Sequence, residues 1–225
     1  MQQVLSLYQT SLGRKGVMAL SGLVLFGFTI GHMLGNLQVF AGREVMNGYA
    51  ETLASMPVLL WTVRLALVVA LVAHIASAVS VYQQSARARP VRYKRHDHRA
   101  TSYAALTMWL SGPLILLFVV YHLAHFTWPG IAMGAYEHSG KGVGADVYAN
   151  VINGFSIPWV VAIYVAAQVA LGFHLYHGTW SLLQTLGINH PRYNERRRQV
   201  ARALGLFVVA GNIVIPLSVL LGFVS

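Results

Sequence analysis

Six of the ten histidines in this chain lie inside long apolar segments, where a polar side chain is costly. Two of these segments share one pattern, Leu-Ser-Gly followed by nine residues and a histidine, at residues 20–32 and 110–122. The serine comes eleven residues before the histidine. Eleven residues are about three helical turns, so both side chains share one helix face, roughly 16 Å apart. Buried imidazoles on a repeated template indicate metal or cofactor chemistry rather than packing alone.

The composition indicates an integral membrane protein. Of the 225 residues, 56% are hydrophobic and 10% are charged, and the mean hydropathy is +0.56. Such a chain has too few polar residues for a water-facing surface. Cysteine is absent, which excludes disulfides, cysteine-ligated iron–sulfur clusters and covalently attached c-type haem on this chain.

Five apolar runs predict five transmembrane helices in a single membrane domain covering residues 1–225. They lie at about 16–40, 58–84, 102–128, 156–185 and 202–224, and each is long enough to cross the hydrocarbon core. We expect an all-α bundle, since backbone groups in lipid must be bonded internally.

The basic residues predict the orientation of the chain. Most of the sixteen Lys and Arg precede the first run, or lie between the second and third runs and between the fourth and fifth. The positive-inside rule therefore predicts a cytoplasmic N-terminus and, after five spans, an external C-terminus, in the inner (cytoplasmic) membrane of the cell. The basic face can also bind anionic lipid headgroups or a cytoplasmic partner. We do not expect the chain to bind nucleic acid.

Depth predicts how four of the histidines pair. The first and third spans run outward and carry His32 and His122 near their outer ends. The second and fourth spans run inward and carry His74 and His174 in their inner halves. Two layers of two histidines suit two six-coordinate haems, bound without cysteine and hence of b type. Zinc, di-iron and proton-relay sites are weaker alternatives because no acidic residue lies within a span.

Other residues are candidates to contact the haems. The Ser-Gly pairs of the two repeats lie near the level of the inner haem, where glycine lets a macrocycle approach the backbone or simply aids helix packing. The residues of these pairs are Ser21, Gly22, Ser111 and Gly112. Arg64 and Tyr164 lie near the level of the outer haem, and the Arg64 cation can pair with a propionate or reach a lipid headgroup.

Quinone and propionate contacts are less specified by the sequence. Glu51, in the first outer loop, is either a proton acceptor for a quinol or a solvated carboxylate. His125 and His177 each follow a predicted ligand by three residues. They can bond a propionate or a quinone carbonyl, or they can themselves be the ligands. At the inner end the candidates for propionate or quinone binding are Arg14, Lys15, His177, Trp180 and Gln184, although tryptophan also anchors helices at membrane interfaces.

Four motifs carry a family resemblance that covers essentially the whole chain. They are GHMLGN around His32, AHIASAVSVY around His74, VVYHLAHF around His122 and GFHLYHGTWSLLQTLG around His174. The chain resembles the five-helix, dihaem cytochrome b membrane subunit of succinate dehydrogenases and fumarate reductases. This resemblance implies that His74 and His174 ligate the proximal haem and that His32 and His122 ligate the distal haem.

The resemblance also implies partners and a task. A flavoprotein with FAD and an iron–sulfur subunit would dock on the cytoplasmic face, and this chain would carry electrons between them and a membrane quinone, with menaquinone expected. An oligomer of the complex is compatible with this assignment. The dicarboxylate chemistry would lie on the partners, because this chain has no dinucleotide-binding fingerprint.

The chain departs from the pattern of this family at one position in the fourth span. Some fumarate reductases of this type carry a glutamate two residues before the inner histidine of the fourth span, where this chain has Gly172. In those enzymes the glutamate takes part in transmembrane proton transfer, so its absence here favours succinate oxidation.

Two alternative functions remain. One is a cytochrome b of a hydrogenase or formate dehydrogenase, and the other is a haem-free anchor or transporter.

Overall fold

The computed structural model describes residues 10–88, 102–128 and 143–225, and every regular element in these ranges is a helix. The basic segment 89–101, Lys141 and His138 lie outside the described residues. The elements are α1 (Ser11–Asn36), a 3₁₀ helix (Leu37–Ala41), α2 (Arg43–Ala54), α3 (Pro57–Arg87), α4 (Tyr103–Leu106), α5 (Met108–Phe126), α6 (Val147–Phe155), α7 (Pro158–Thr185) and α8 (Asn194–Leu220).

Five of these helices are long and apolar enough to cross a membrane: α1 with its 3₁₀ extension, α3, α5, α7 and α8. The prediction of an all-α chain with five candidate spans is therefore confirmed for the described residues. The ends of the helices differ from the predicted runs. In particular, α8 begins at Asn194 rather than near 202, because arginine is a good helix former and the helix continues past its apolar part.

Helix starts follow local signals in the sequence. Both α3 and α7 begin with a proline, Pro57 and Pro158, whose fixed φ and missing N–H suit the first helical position. The hydroxyl of Thr10 caps α1 by accepting a hydrogen bond from the Gly13 N–H at 3.0 Å. The Asp146 carboxylate caps α6 in the same way, accepting from the Ala149 N–H at 3.0 Å.

The long helices pack as two close pairs, with α8 joining one of them. Helix α1 packs along α3, and α5 packs along α7, which also packs along α8. By contrast, α1 and α5 are not among the closely packed helix pairs of the described chain, and neither are α3 and α7. The two helices of each predicted histidine pair, α1 with α5 and α3 with α7, are therefore further apart than the closely packed helix pairs.

Glycines allow α7 and α8 to approach closely. A Cβ at Gly205 would lie 3.2 Å from the Gly172 carbonyl oxygen, and a Cβ at Gly172 would lie 2.7 Å from Val209 Cγ2. Small residues are common where membrane helices cross at short distance. A larger side chain at position 172 would therefore require Val209 on α8 to shift.

The end of the bundle that carries the C-terminus is held by polar contacts between α2, α6 and Ser225. Asp146 accepts hydrogen bonds from Arg43 Nη1 at 3.0 Å and from Asn47 Nδ2 at 2.9 Å. Asn47 Oδ1 accepts from the Tyr148 N–H at 2.9 Å, and the Tyr148 hydroxyl donates to the Ser225 carbonyl oxygen at 3.0 Å. The amide of Asn47, the Ala149 N–H and Arg43 hold the pKa of Asp146 below its ordinary value, against a smaller opposing effect of burial.

Candidate cofactor site

Two histidine pairs face each other across helices that do not pack closely. The rings of His32 and His122 have centroids 5.7 Å apart and are nearly perpendicular, at 86°. The rings of His74 and His174 have centroids 6.1 Å apart and are inclined by 56°. A metal bound to one nitrogen of each ring at about 2 Å would place the centroids roughly 6 Å apart. The structure therefore brings together the pairs expected from depth, at a separation that would suit two ligands of one metal ion. We name them after their predicted depth: His32 and His122 are the outer pair, and His74 and His174 are the inner pair.

The inner pair has one imidazole whose tautomer is determined by its surroundings. His74 Nδ1 lies 3.0 Å from the carbonyl oxygen of Met18, and a carbonyl can only accept. Nδ1 must therefore carry the proton, which leaves the lone pair of Nε2 for a ligand. Ser21 Oγ lies 3.4 Å from the same Nδ1 and donates to the Val17 carbonyl oxygen at 2.7 Å.

Gly22 lies against the His74 ring. A Cβ at this position would lie 3.1 Å from His74 Cε1 and 3.3 Å from Nδ1, closer than ordinary van der Waals contact. The glycine therefore allows α1 to support the ring. Ser21 and Gly22, which the sequence places near the level of an inner haem, thus contact His74 of the inner pair.

The second histidine of the inner layer keeps a nitrogen that the described chain does not use. His174 Nδ1 is buried and has no hydrogen-bond partner among the described residues. His177, three residues further along α7, is half-buried. His174 therefore retains an unused polar nitrogen in the layer where a cofactor is expected.

The outer layer is built around an aromatic cluster. The Tyr164 hydroxyl lies 3.1 Å from His122 Nδ1 and 2.9 Å from His125 Nδ1. His125 is buried in this cluster, where its ring contacts Phe126 and Tyr164. His32, by contrast, is exposed on the surface of the described chain, and its ring stacks on Phe28 with centroids 5.4 Å apart. Tyr164 thus lies beside His122 of the outer pair.

Several candidate residues are not brought to a histidine pair. Ser111 lies within hydrogen-bond distance of Met108 O and Sδ, at 3.5 and 3.9 Å, and a Cβ at Gly112 would have no described neighbour within 4 Å. Arg64 is exposed and lies over the Trp61 ring, 5.2 Å from its centroid. The remaining candidates in exposed positions are Lys15, Glu51 and Gln184.

A buried arginine at the inner end is the residue that sequence reasoning missed. Arg197 is only 6% exposed and lies over Trp180, 4.5 Å from the ring centroid. Its Nη1 donates to Asn189 Oδ1 at 3.2 Å and to Asn194 Oδ1 at 2.6 Å. Its Nε and Nη2 are buried without a hydrogen-bond partner among the described residues, and so is Nε of Arg14.

The sequence does contain a signal for Arg197. The buried face of α8 continues from Arg197 through Ala201, Gly205 and Val208, a spacing of four, four and three residues that follows one helix face. The face formed by Ala201, Gly205 and Val208, followed one turn toward the start of α8, includes Arg197 and so predicts its burial. Its charge alone identifies it only as part of a basic segment that indicates topology.

The arrangement is limited to pairs of ligands. Within residues 10–88, 102–128 and 143–225, His, Asp and Glu side chains form no group of three or more suited to hold a metal ion. A pair of ligands would be enough for a six-coordinate haem iron, since the tetrapyrrole supplies the other four. Comparison with known proteins adds no family: no family model, no curated protein and no solved structure matches the chain.

Proposed function

We propose that this chain is a dihaem b-type cytochrome, the membrane anchor of a succinate:quinone oxidoreductase. The observation that carries the proposal is the pairing of His32 with His122 and of His74 with His174, each across helices that are not closely packed. A single intramembrane histidine is often a packing residue bonded to a neighbour. Two facing pairs at different depths are better explained by two axially ligated cofactors.

The inner layer fits a b haem well. His74 presents Nε2 as a lone-pair donor because Nδ1 donates to the Met18 carbonyl oxygen, the arrangement that orients histidine ligands in metal sites. Gly22 supports the same ring. When bound, a b haem supplies reversible one-electron chemistry. The residues of this chain orient the axial imidazoles and keep the site within an apolar bundle.

The unused donors at the inner end fit a haem propionate. Burying a guanidinium without a counter-charge is unfavourable by several kcal/mol, on the order of 3–5. Nε and Nη2 of Arg197 together form one edge of the guanidinium, which binds a carboxylate through two parallel hydrogen bonds. Trp180, under Arg197, follows His174 by six residues, which is about 9 Å along the helix. We therefore assign Arg197 to the propionates of the inner haem.

The spacing of the two layers suits electron transfer between haems. Tyr164, which contacts the outer His122, and His174 of the inner pair both lie on α7. They are ten residues apart in sequence, and ten residues rise by about 15 Å. On this proposal electrons pass through both layers between a cytoplasmic iron–sulfur subunit with its FAD-bearing partner and a membrane quinone.

Single substitutions of the paired histidines test the cofactor assignment. Replacing His32 or His122 by alanine is expected to remove one b-type spectral component, and replacing His74 or His174 is expected to remove the other. His190, which is exposed in the loop before α8, is the matched control. Its alanine variant should keep both components. Four paired variants that all retain the wild-type spectrum would contradict the proposal.

Purification of the intact complex tests the enzyme assignment. A tagged chain isolated from its native membrane should bring along a flavoprotein and an iron–sulfur subunit, and the preparation should reduce quinone with succinate. Co-purification with a nickel or molybdenum subunit would instead identify a hydrogenase or formate dehydrogenase cytochrome. A preparation without haem would leave an anchor or transporter.

A further inference from the structure

The Tyr164 hydroxyl joins the outer histidine His122 to a second histidine that belongs to neither pair. It lies 3.1 Å from His122 Nδ1 and 2.9 Å from His125 Nδ1. Both distances are within the range of a hydrogen bond. The three side chains come from two helices, His122 and His125 from α5 and Tyr164 from α7. One hydroxyl therefore connects the helices at the level of the outer layer.

The ring of Tyr164 is held firmly in place. It is 6% exposed, and four aromatic rings surround it at centroid distances of 5.0, 6.0, 6.1 and 4.8 Å: Phe118, Tyr121, Phe126 and Phe155. All four contacts are edge-to-face, a favourable geometry for aromatic pairs. The hydroxyl cannot move away from the two imidazoles without disturbing this cluster.

Proton counting limits how the three groups can bond. A tyrosine hydroxyl has one proton to donate and two lone pairs with which to accept. A neutral imidazole that binds metal through Nε2 carries its proton on Nδ1. His122 as a ligand therefore donates from Nδ1 to one lone pair of the tyrosine oxygen. The second lone pair and the tyrosine proton remain for His125 Nδ1 and the other neighbours of the hydroxyl.

We infer that Tyr164 is a positioning residue for His122: it holds this imidazole in the Nδ1–H tautomer and increases its donor strength toward a metal at Nε2. This inference rests on the proposed function, because it assigns the axial ligand of the outer haem. A hydrogen bond from Nδ1–H to an acceptor raises the basicity of a ligating imidazole. A more basic ligand stabilises ferric iron and lowers the haem potential.

The inner layer provides an internal reference. There the acceptor for His74 Nδ1 is the backbone carbonyl of Met18, which no side-chain substitution removes. The outer acceptor is a side chain. A change at Tyr164 therefore acts on one layer only, and the other layer reports whether the protein has folded.

Tyr164→Phe in the full chain, purified from membranes, tests the inference. We expect the outer b component to lose affinity for haem by roughly tenfold to a hundredfold, the usual effect of removing a partner of a metal ligand. The outer component that is retained should have a higher midpoint potential and an altered low-spin EPR signal. The inner component should keep its wild-type potential and signal.

Tyr121→Phe is the matched control. The Tyr121 hydroxyl is buried and belongs to the same aromatic cluster, but it has no hydrogen-bond partner among the described residues. Its removal should leave both components unchanged. A Tyr164→Phe protein in which the outer potential and EPR signal equal those of wild type would overturn the inference while leaving the dihaem proposal intact. A wild-type chain without haem would overturn both.

A second substitution covers the case in which Tyr164→Phe does not fold. Site-specific incorporation of 3,5-difluorotyrosine at position 164, assayed at a pH at which this more acidic phenol stays protonated, keeps the ring and the hydroxyl but makes the oxygen a weaker acceptor. The midpoint potential of the outer component should then rise while that of the inner component stays constant. Equal potentials in the fluorinated and unmodified proteins would refute the positioning role.

Discussion

On the dihaem proposal, Gly22→Ala is expected to weaken haem binding by the inner pair and to leave the outer pair unaffected. The added Cβ would lie 3.1 Å from His74 Cε1 and 3.3 Å from Nδ1. Carbon atoms in ordinary contact are about 3.5–4.0 Å apart, so the ring must shift by roughly 0.5 Å. The hydrogen bond from Nδ1 to the Met18 carbonyl oxygen, now 3.0 Å long, lies on the same side of the ring and is strained by any such shift.

The size of the effect follows from the cost of overpacking. Extra methyl groups in a well-packed site typically cost about 1–3 kcal/mol. Since each 1.4 kcal/mol is tenfold in an equilibrium constant, haem affinity at the inner layer should fall by about fivefold to 140-fold. A haem titration of the purified chain, followed by the reduced-minus-oxidised spectrum, measures this change. The outer component should titrate as in wild type.

Gly27→Ala is the control for the backbone effect of replacing a helical glycine. Gly27 lies on the same helix, and a Cβ there would have no described neighbour within 4 Å. This variant should bind haem as wild type does. If Gly22→Ala also retains wild-type haem affinity in the inner component, then α1 does not constrain the His74 ring, and the packing given for the inner layer is wrong.

Three further predictions concern the two ends of the bundle. The pKa of Asp146 is lowered from 3.8, chiefly by the hydrogen bond from the Asn47 amide. The ionised Asp146 therefore stabilises the fold fully above pH 3.8, and this stabilisation is lost as the pH falls through the pKa of the folded state. Thermal unfolding in detergent should show a loss of stability at acid pH that Asp146→Asn lacks. Tyr148→Phe removes the hydrogen bond to the Ser225 carbonyl oxygen and should lower the free energy of unfolding by about 1 kcal/mol, whereas an unchanged value would show that this bond adds no stability. Arg197→Met should lower the midpoint potential of the inner component, because a positive charge beside the haem favours the reduced state; an unchanged potential in a redox titration would contradict the propionate assignment.

The helices and the histidine pairing could be predicted because both depend on local pattern. Apolar runs of sufficient length specify the spans, and Pro57 and Pro158 mark where α3 and α7 begin. Counting along each helix from such points gives the depth of a side chain, since the rise per residue is constant. Depth alone is enough to expect that His74 faces His174.

The two Leu-Ser-Gly repeats show what local pattern does not contain. Ser21 and Gly22 contact the ring of His74, but Ser111 bonds within its own helix and a Cβ at Gly112 would meet no described atom within 4 Å. The difference arises because α3 packs along α1 and brings a histidine to that glycine. Identical motifs thus acquire different contacts from the helices beside them.

Contacts between distant segments account for the remaining features. The bond between Asn47 and Asp146 joins residues 99 positions apart, and the one between Tyr164 and His122 joins residues 42 apart. The charge of Arg197 resembles that of its basic neighbours, whereas its burial depends on which face of α8 meets α7. Such pairings require the tertiary arrangement, which periodicity along one helix does not specify.

The most direct test of the dihaem assignment is the ratio of haem to protein in the purified chain. The pyridine haemochrome spectrum identifies b haem and measures its amount, and amino-acid analysis gives the amount of chain. Two b haems per chain are predicted, falling to one when His32 or His74 is replaced. A ratio near zero in fully folded wild-type protein would contradict the central claim.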